Sequence, residues 1–331
     1  MLAAVLFGAS TPAASVIARD MKPLVLAGLL YLGAALAVSP WWVIRRPPAG
    51  ALRRDWRPLA LAIVAGGAVG PALLTAGLVN TPAATASLLL NMELVATVIL
   101  AATLFREHLG KNLLIAAALV TSAGAMLVLQ PGARFDPHAL FIVGACGCWG
   151  LDNSVSSRID QVSPQHVTFL KGLVAGTANL ALGLLVTGPG HITILSTLGA
   201  LLVGGLGYGA SITLWVRGAQ QLGAARGQVI FAAAPFIGAA VAWVALSEHV
   251  RAIQLAATVL AALGVAVSLR SDHEHRHRHD PVVHTHEHEH DEHHSHSHAD
   301  GASDRHSHEH QHLPLVHAHP HVPDLHHRHE H

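Results

Sequence analysis

Three ionisable residues stand inside uncharged stretches, and their types suggest what they could do. Glu93 lies in NMELVATVIL, Asp152 in ACGCWGLDNS and Lys171 in VTFLKGLVAG. An ionisable group at membrane depth costs about 2.5–3.5 kcal/mol on insertion scales, so it is expected to face a partner or a wet cavity. Glu93, with Leu89, Leu90 and Thr97 on its helical face, can take up and release a proton or hold a cationic substrate. Hydrogen-bonded packing near Asn91 is the alternative. Asp152 follows an apolar run of only 13 residues, 139–151. A spanning helix must therefore continue through Asp152, Asn153, Ser154, Ser156 and Ser157; otherwise the helix ends at Leu151 and Asp152 lies at the interface. Helical spacing puts Gly144, Cys148 and Asp152 on one face, expected to meet protein or a cavity rather than lipid. Lys171 forms a polar and small stripe with Ala175 and Asn179, flanked by Gly172 and Gly176. It belongs to the helix after that of Asp152 and lies at similar depth, so the two are expected to pair as a gate or substrate clamp. The alternative has Lys171 reaching to the headgroups. Glu93, Asp152, Asn153, Lys171 and Asn179 make up the candidate substrate or coupling set.

A second chemistry begins at Ser271, where histidine alternates with charged and polar residues. His273, His275, His277, His279, His284, His286, His288, His290, His293, His294, His296, His298, His306, His308, His310 and His312 are candidate metal ligands. Imidazole with carboxylate suits Zn²⁺, Ni²⁺, Co²⁺ or Cu²⁺, and the affinity order alone does not choose among them. Four ligands close a site, so the tail could hold several divalent ions. A pH-responsive tail, since histidine titrates near pH ~6.5, and functionless low-complexity sequence are the competing readings. With almost no apolar residues to build a core, the segment is expected to be disordered.

The elements that position the first group are apolar. The chain has 331 residues, 51% hydrophobic and 12% charged, with a formal net charge of zero. That zero joins two opposites: residues 1–270 hold 16 Lys+Arg and 8 Asp+Glu, while 271–331 hold 4 and 12, with 23 of the 28 histidines. Such composition points to a membrane protein with a polar appendage and away from a soluble enzyme. Dispersed basic residues exclude a nucleic-acid stripe. Cys146 and Cys148, two apart in one helix, cannot join, so no disulfide framework exists. No nucleophile–base constellation, phosphate-binding glycine loop or catalytic metal motif is present, so no enzyme and no required cofactor is expected. The start MLAAVLFGAS has no positive residue ahead of its apolar stretch, which predicts a retained first helix.

Crossing about 30 Å of hydrocarbon takes about 20 apolar residues. Ten segments qualify or nearly do: 2–18, 24–44, 59–79, 82–104, 112–130, 139–157, 165–187, 192–216, 218–246 and 252–269. The loop RRPPAGALRRDWR anchors its side in the cytoplasm. Ten spans then place eleven basic residues inside and four outside, with both termini in the cytoplasm. The chain also repeats itself. LFREHLGKNLLIAAALVTSAGAMLVL from Leu104 has the layout of ALSEHVRAIQLAATVLAALGVAVSL from Ala245. Glu107-His108 and Glu248-His249 are 141 residues apart, the offset that carries Pro23 onto Pro164. Five helices per unit invert the second copy, with a substrate site expected between the copies near the midplane. Glu107 and Glu248, at opposite surfaces, are expected to serve turn and cap chemistry.

These features resemble the EamA branch of the drug/metabolite transporter superfamily over residues 1–270. Ten helices in two halves, Trp149-Gly150 opening the second half, and a glutamate at the end of each fourth helix carry the likeness. Phe7-Gly8 opens the first half, where a tryptophan is usual. The resemblance implies alternating-access transport of a small metabolite, amino acid or drug-like compound. The expected fold is an all-α polytopic bundle of ten helices, with repeats at 1–131 and 137–270 and a disordered tail at 271–331. The expected function is efflux across the cytoplasmic membrane, with the lipid bilayer, a small-molecule substrate and divalent metal ions as partners and a homodimer left open. A divalent-metal exporter with a capturing tail, and a metal-buffering or sensing membrane protein, are the alternatives.

Overall fold

In the computed structural model the described residues are 1–45, 47, 50–104, 111–129, 137–156, 159, 162–188, 192–222 and 231–268, together with the backbone of four short tail strands. Before the tail, the regular structure of these residues is helical. The first half comprises α1 (Leu2–Ile17), α2 (Pro23–Ile44), α3 (Trp56–Leu78), α4 (Ala83–Leu89 and Met92–Leu104) and α5 (Lys111–Val128). The second comprises α6 (His138–Ser156), α7 (Pro164–Val186), α8 (Ile194–Val203 continuing to Leu222), α9 (Ala234–Ala245) and α10 (Ala252–Ser268). Proline opens α2, α7 and α9, where its missing N–H costs no helical bond. Large apolar side chains are exposed on the outside of the bundle, among them Val64, Leu185, Leu202 and Val244.

Small residues let equivalent helices of the two halves touch. α2 and α7 run antiparallel, and a Cβ on Gly28 would lie 2.5 Å from the Leu180 backbone nitrogen. One on Gly176 would lie 2.8 Å from that of Leu32. Close backbone approach of this kind is how membrane helices gain dispersion energy where lipid offers no hydrophobic drive. α5 and α10 pair in the same way around Gly264, which faces Val120 and Ala116.

The 141-residue offset is also present in the backbone. α3 winds as a π-helix over Ile63–Val69 and α8 over Gly204–Ala210, positions that the offset superposes residue for residue. α4 is interrupted by a turn at Leu90–Asn91, and a turn at Ala232–Ala233 precedes α9. A π-wound segment and, further along, a turn therefore recur in order in the two halves.

Several sequence expectations change. α4 has a turn at Leu90–Asn91, so that Glu93, near the middle of the 82–104 segment, stands in the first turn of its second part. α8 runs beyond the expected end of the eighth span at 216, through Arg217 to Leu222, and Ala234–Ala245 belongs to the ninth; residues 223–230 lie outside the described ones. Polar residues in an amphipathic helix end do not break it, although they end an apolar run. Five helices are long and apolar enough to cross a membrane by those criteria alone, Pro23–Ile44, Trp56–Leu78, Ala83–Leu100, Pro164–Val186 and Ile194–Gly218; Leu2–Ile17, Leu114–Val128, Ala234–Ala245 and Ala252–Ser268 are shorter apolar helices. The face of Gly144, Cys148 and Asp152 is not uniformly covered: Gly144 is exposed and Cys148 half-buried, while Ala145, Cys146 and Trp149 turn inward.

In the tail, where no fixed fold is expected, His273–His279 pairs antiparallel with Leu315–His321, and Val282–Glu289 with Arg305–His312. Strict alternation is also the period of a strand. A two-stranded ladder alone is marginally stable in water, so these ladders add no packed domain to the bundle.

Candidate functional site

The polar side chains of α6 and α7 converge because both helices press against the π-helical segment of α3. Helix α6 continues to Ser156, which carries Asp152 and Asn153 into the interior. Lys171, about two turns into α7, faces them. Its Nζ lies 2.5 Å from Asp152 Oδ2, with the two side chains 2% and 8% exposed. Ser156 donates to Asp152 Oδ1 at 2.9 Å. A carboxylate and an ammonium taken out of water singly would each carry a large desolvation penalty, and their mutual attraction offsets it here. Beside them, Asn153 Nδ2 donates to Glu93 Oε1 at 2.5 Å. Glu93 comes from α4, just past the interruption, and Thr97 donates to its carbonyl at 2.8 Å.

The π-helix supplies the floor. In π-winding the backbone hydrogen-bond ladder is shifted, which is why such segments cluster at functional sites. The Gly66 carbonyl accepts from Tyr31 OH at 2.6 Å and from Trp149 Nε1 at 3.1 Å. Glycine is required at this point: a Cβ there would come 2.0 Å from Asp152 Oδ2. One residue thus fixes two aromatic rings and makes room for the carboxylate.

Aromatic rings close the remaining sides. Phe7 is edge-on to Trp149 at 5.8 Å and to Tyr208 at 5.7 Å between centroids, and it lies 5.2 Å from Phe231. Tyr31 lies 5.5 Å from Tyr208. With Ile212, Trp215 and Val216 of α8 they line a cavity of about 40 Å³. That is room for roughly three waters and not for a metabolite. Side chains must move before a substrate enters.

Glu93, Asp152, Asn153 and Lys171 therefore share one cavity. Asn179 does not line it; its Nδ2 donates to Ala68 O at 3.0 Å and ties α7 to the π-segment of α3. Glu248 caps α4, its two oxygens accepting from Ala83 and Ala84. Glu107 and His108 lie outside the described residues, as do His290, His293, His294, His296 and His298. Among the described residues no group of three His, Cys, Asp or Glu is placed to hold a metal ion. The aromatic members of the site, Tyr31, Tyr208, Trp215 and Phe231, carry no charge that marks them within an apolar span. A signal existed: the chain has only 2 tyrosines, both inside apolar spans, and both line the cavity.

The site is one-sided. The repeat offset carries Glu93 onto Ala234, Asp152 back onto Thr11 and Lys171 back onto Leu30. Symmetry builds the frame, and its charges come from single copies.

Residues 1–130 and 137–270 each match the EamA-like transporter family. The chain belongs to that family. As an EamA-like membrane transporter it is a multi-pass protein whose two family units fall on the two halves of the bundle. No curated protein matches it. One solved structure, described only as the crystal structure of a protein, is similar with a TM-score of 0.61 and 20% identity, over 80% of this chain and 93% of the other. At that identity the likeness concerns the fold alone.

Proposed function

We propose that this EamA-like protein is a secondary transporter of the cytoplasmic membrane that exports a small metabolite, an amino acid or drug-like compound, by alternating access. One observation carries the reading: the buried Asp152–Lys171 pair beside Glu93–Asn153, in an aromatic cavity between the halves. An ion pair is a reversible closure. A substrate bearing its own charges can replace either partner, so the site opens without leaving a bare charge in low dielectric. Glu93 is the coupling residue, exchanging a proton as its bond with Asn153 breaks and reforms. The inside-positive pattern supports cytoplasmic termini, with the repeats at 1–131 and 137–270 inverted about the site.

The alternating histidines support a second role, capture of Zn²⁺, Ni²⁺, Co²⁺ or Cu²⁺ by the tail, either to feed export or to buffer the ion. The two roles separate in everted vesicles. With metabolite as cargo, removal of 271–331 leaves metabolite flux intact and Glu93→Gln lowers it. With metal as cargo, tail removal lowers metal uptake and Glu93→Gln abolishes it. If Glu93→Gln changes no flux, the coupling assignment fails.

A further inference from the structure

One face of the bundle holds the start of α1 and the end of α2; the other holds a contact that the cavity does not use. Glu248, in the connection between α9 and α10, reaches the first turn of α4 in the other half of the chain. Its Oε1 accepts from Ala83 N–H at 2.8 Å and its Oε2 from Ala84 N–H at 3.0 Å. The first N–H groups of a helix have no partner within it. Pro82 begins α4 without a side-chain cap of its own, so the carboxylate from the second repeat takes that place.

Two independent features hold the contact together. Gln254, at the start of α10, donates from Nε2 to Thr85 Oγ1 at 3.0 Å, and both residues are buried. Gln254 Oε1 also accepts from Arg251 N–H at 3.0 Å, which shapes the connection around Glu248. Ser247 has φ +53°, and among the described residues it alone is a non-glycine with positive φ. That left-handed backbone is unfavourable for a side-chain-bearing residue. It turns the chain out of α9 immediately before Glu248.

The helix held in this way is interrupted at Leu90–Asn91 and carries Glu93. The buried Cys146 thiol lies 3.6 Å from the Leu89 carbonyl, against that interruption. We propose that Glu248 is a latch: it holds the first part of α4 to α10 and closes this face of the pathway, and opening the face requires the carboxylate to leave Ala83 and Ala84. The proposal rests on family membership and not on the identity of the cargo.

Cys146 is a native reporter of the latch. In full-length protein carrying Cys148→Ala, its alkylation by a membrane-impermeant maleimide is followed in sealed vesicles of both orientations. Glu248→Ala is expected to label about tenfold faster than the parent from one side only, because a lost charge-assisted contact shifts an opening equilibrium. Hydrogen exchange of the purified protein should rise over 83–90 and not in α2 or α7, with Glu248→Gln giving the same pattern at smaller amplitude. Labelling and exchange at parental values in both variants would overturn the latch. Faster labelling from both sides, or exchange raised throughout the bundle in Glu248→Gln as well, would overturn it too, since Glu248 would then be a structural cap alone.

Discussion

Lys171 is 2% exposed and its partner Asp152 hardly more, so each residue makes the other tolerable. Removing one partner of a buried pair costs about 3–5 kcal/mol, whereas replacing both with uncharged residues is often neutral or stabilising. Asp152→Asn and Lys171→Met should therefore each lower the melting temperature in detergent by several degrees, and the double variant should recover it. A double variant no more stable than the singles would mean that the pair is not the source of the loss. Gly66 makes a sharper steric prediction. Gly66→Ala places a methyl 2.0 Å from Asp152 Oδ2 and should abolish flux, while Gly147→Ala, with nothing within 4 Å of its Cβ, should leave flux unchanged. Vesicle uptake distinguishes the two. At this scale the charged residues were legible, because an acid or a lysine inside an apolar run has few explanations. Asn179 bonds the Ala68 carbonyl, a contact that helical spacing does not reveal, because spacing gives a face and not a partner. The aromatic lining was missed because an aromatic ring in an apolar span also reads as ordinary packing.

At the scale of elements, apolar runs and short connectors showed the helices, and a 141-residue offset showed the repeat. The winding within the helices was hidden. IVAGGAV and GGLGYGA both read as Gly-rich helix, and the sequence pattern does not separate a π-turn from an α-turn, since the difference is one of backbone register. The interruption of α4 was hidden for a related reason: LLLNMELV has no proline, while the corresponding turn before α9 is followed by Pro235. The most extensive inter-repeat contact is α2 against α7, where Gly28 faces the Leu180 backbone. Backbone cannot step aside as a side chain can. Gly28→Val should thus force the helices apart and destabilise the fold by at least the 1–3 kcal/mol typical of overpacking, seen as a lower melting temperature and yield. A variant with parental stability would mean that α2 and α7 do not pack in this way.

The whole molecule is a neutral sum of a basic helical body and an acidic, histidine-rich tail. Among the described residues the main core cluster of the body, which includes Leu26, Leu30, Leu74 and Leu89, lies within residues 1–270. Deleting 271–331 should leave the melting temperature unchanged and remove most of the protein's capacity for Ni²⁺ or Zn²⁺ measured by equilibrium dialysis. A truncated protein that retains that capacity would place metal binding in the body. Passage of cargo through the cavity held by Asp152, Lys171 and Glu93 is read from transport itself. Energised everted vesicles are incubated with a whole-cell metabolite extract, and their lumen is analysed by mass spectrometry for the parent protein and for the stable Asp152→Asn/Lys171→Met double variant. Parent vesicles should accumulate at least one small metabolite, and double-variant vesicles should lose that accumulation. Equal accumulation by both, or none by the parent, would contradict it.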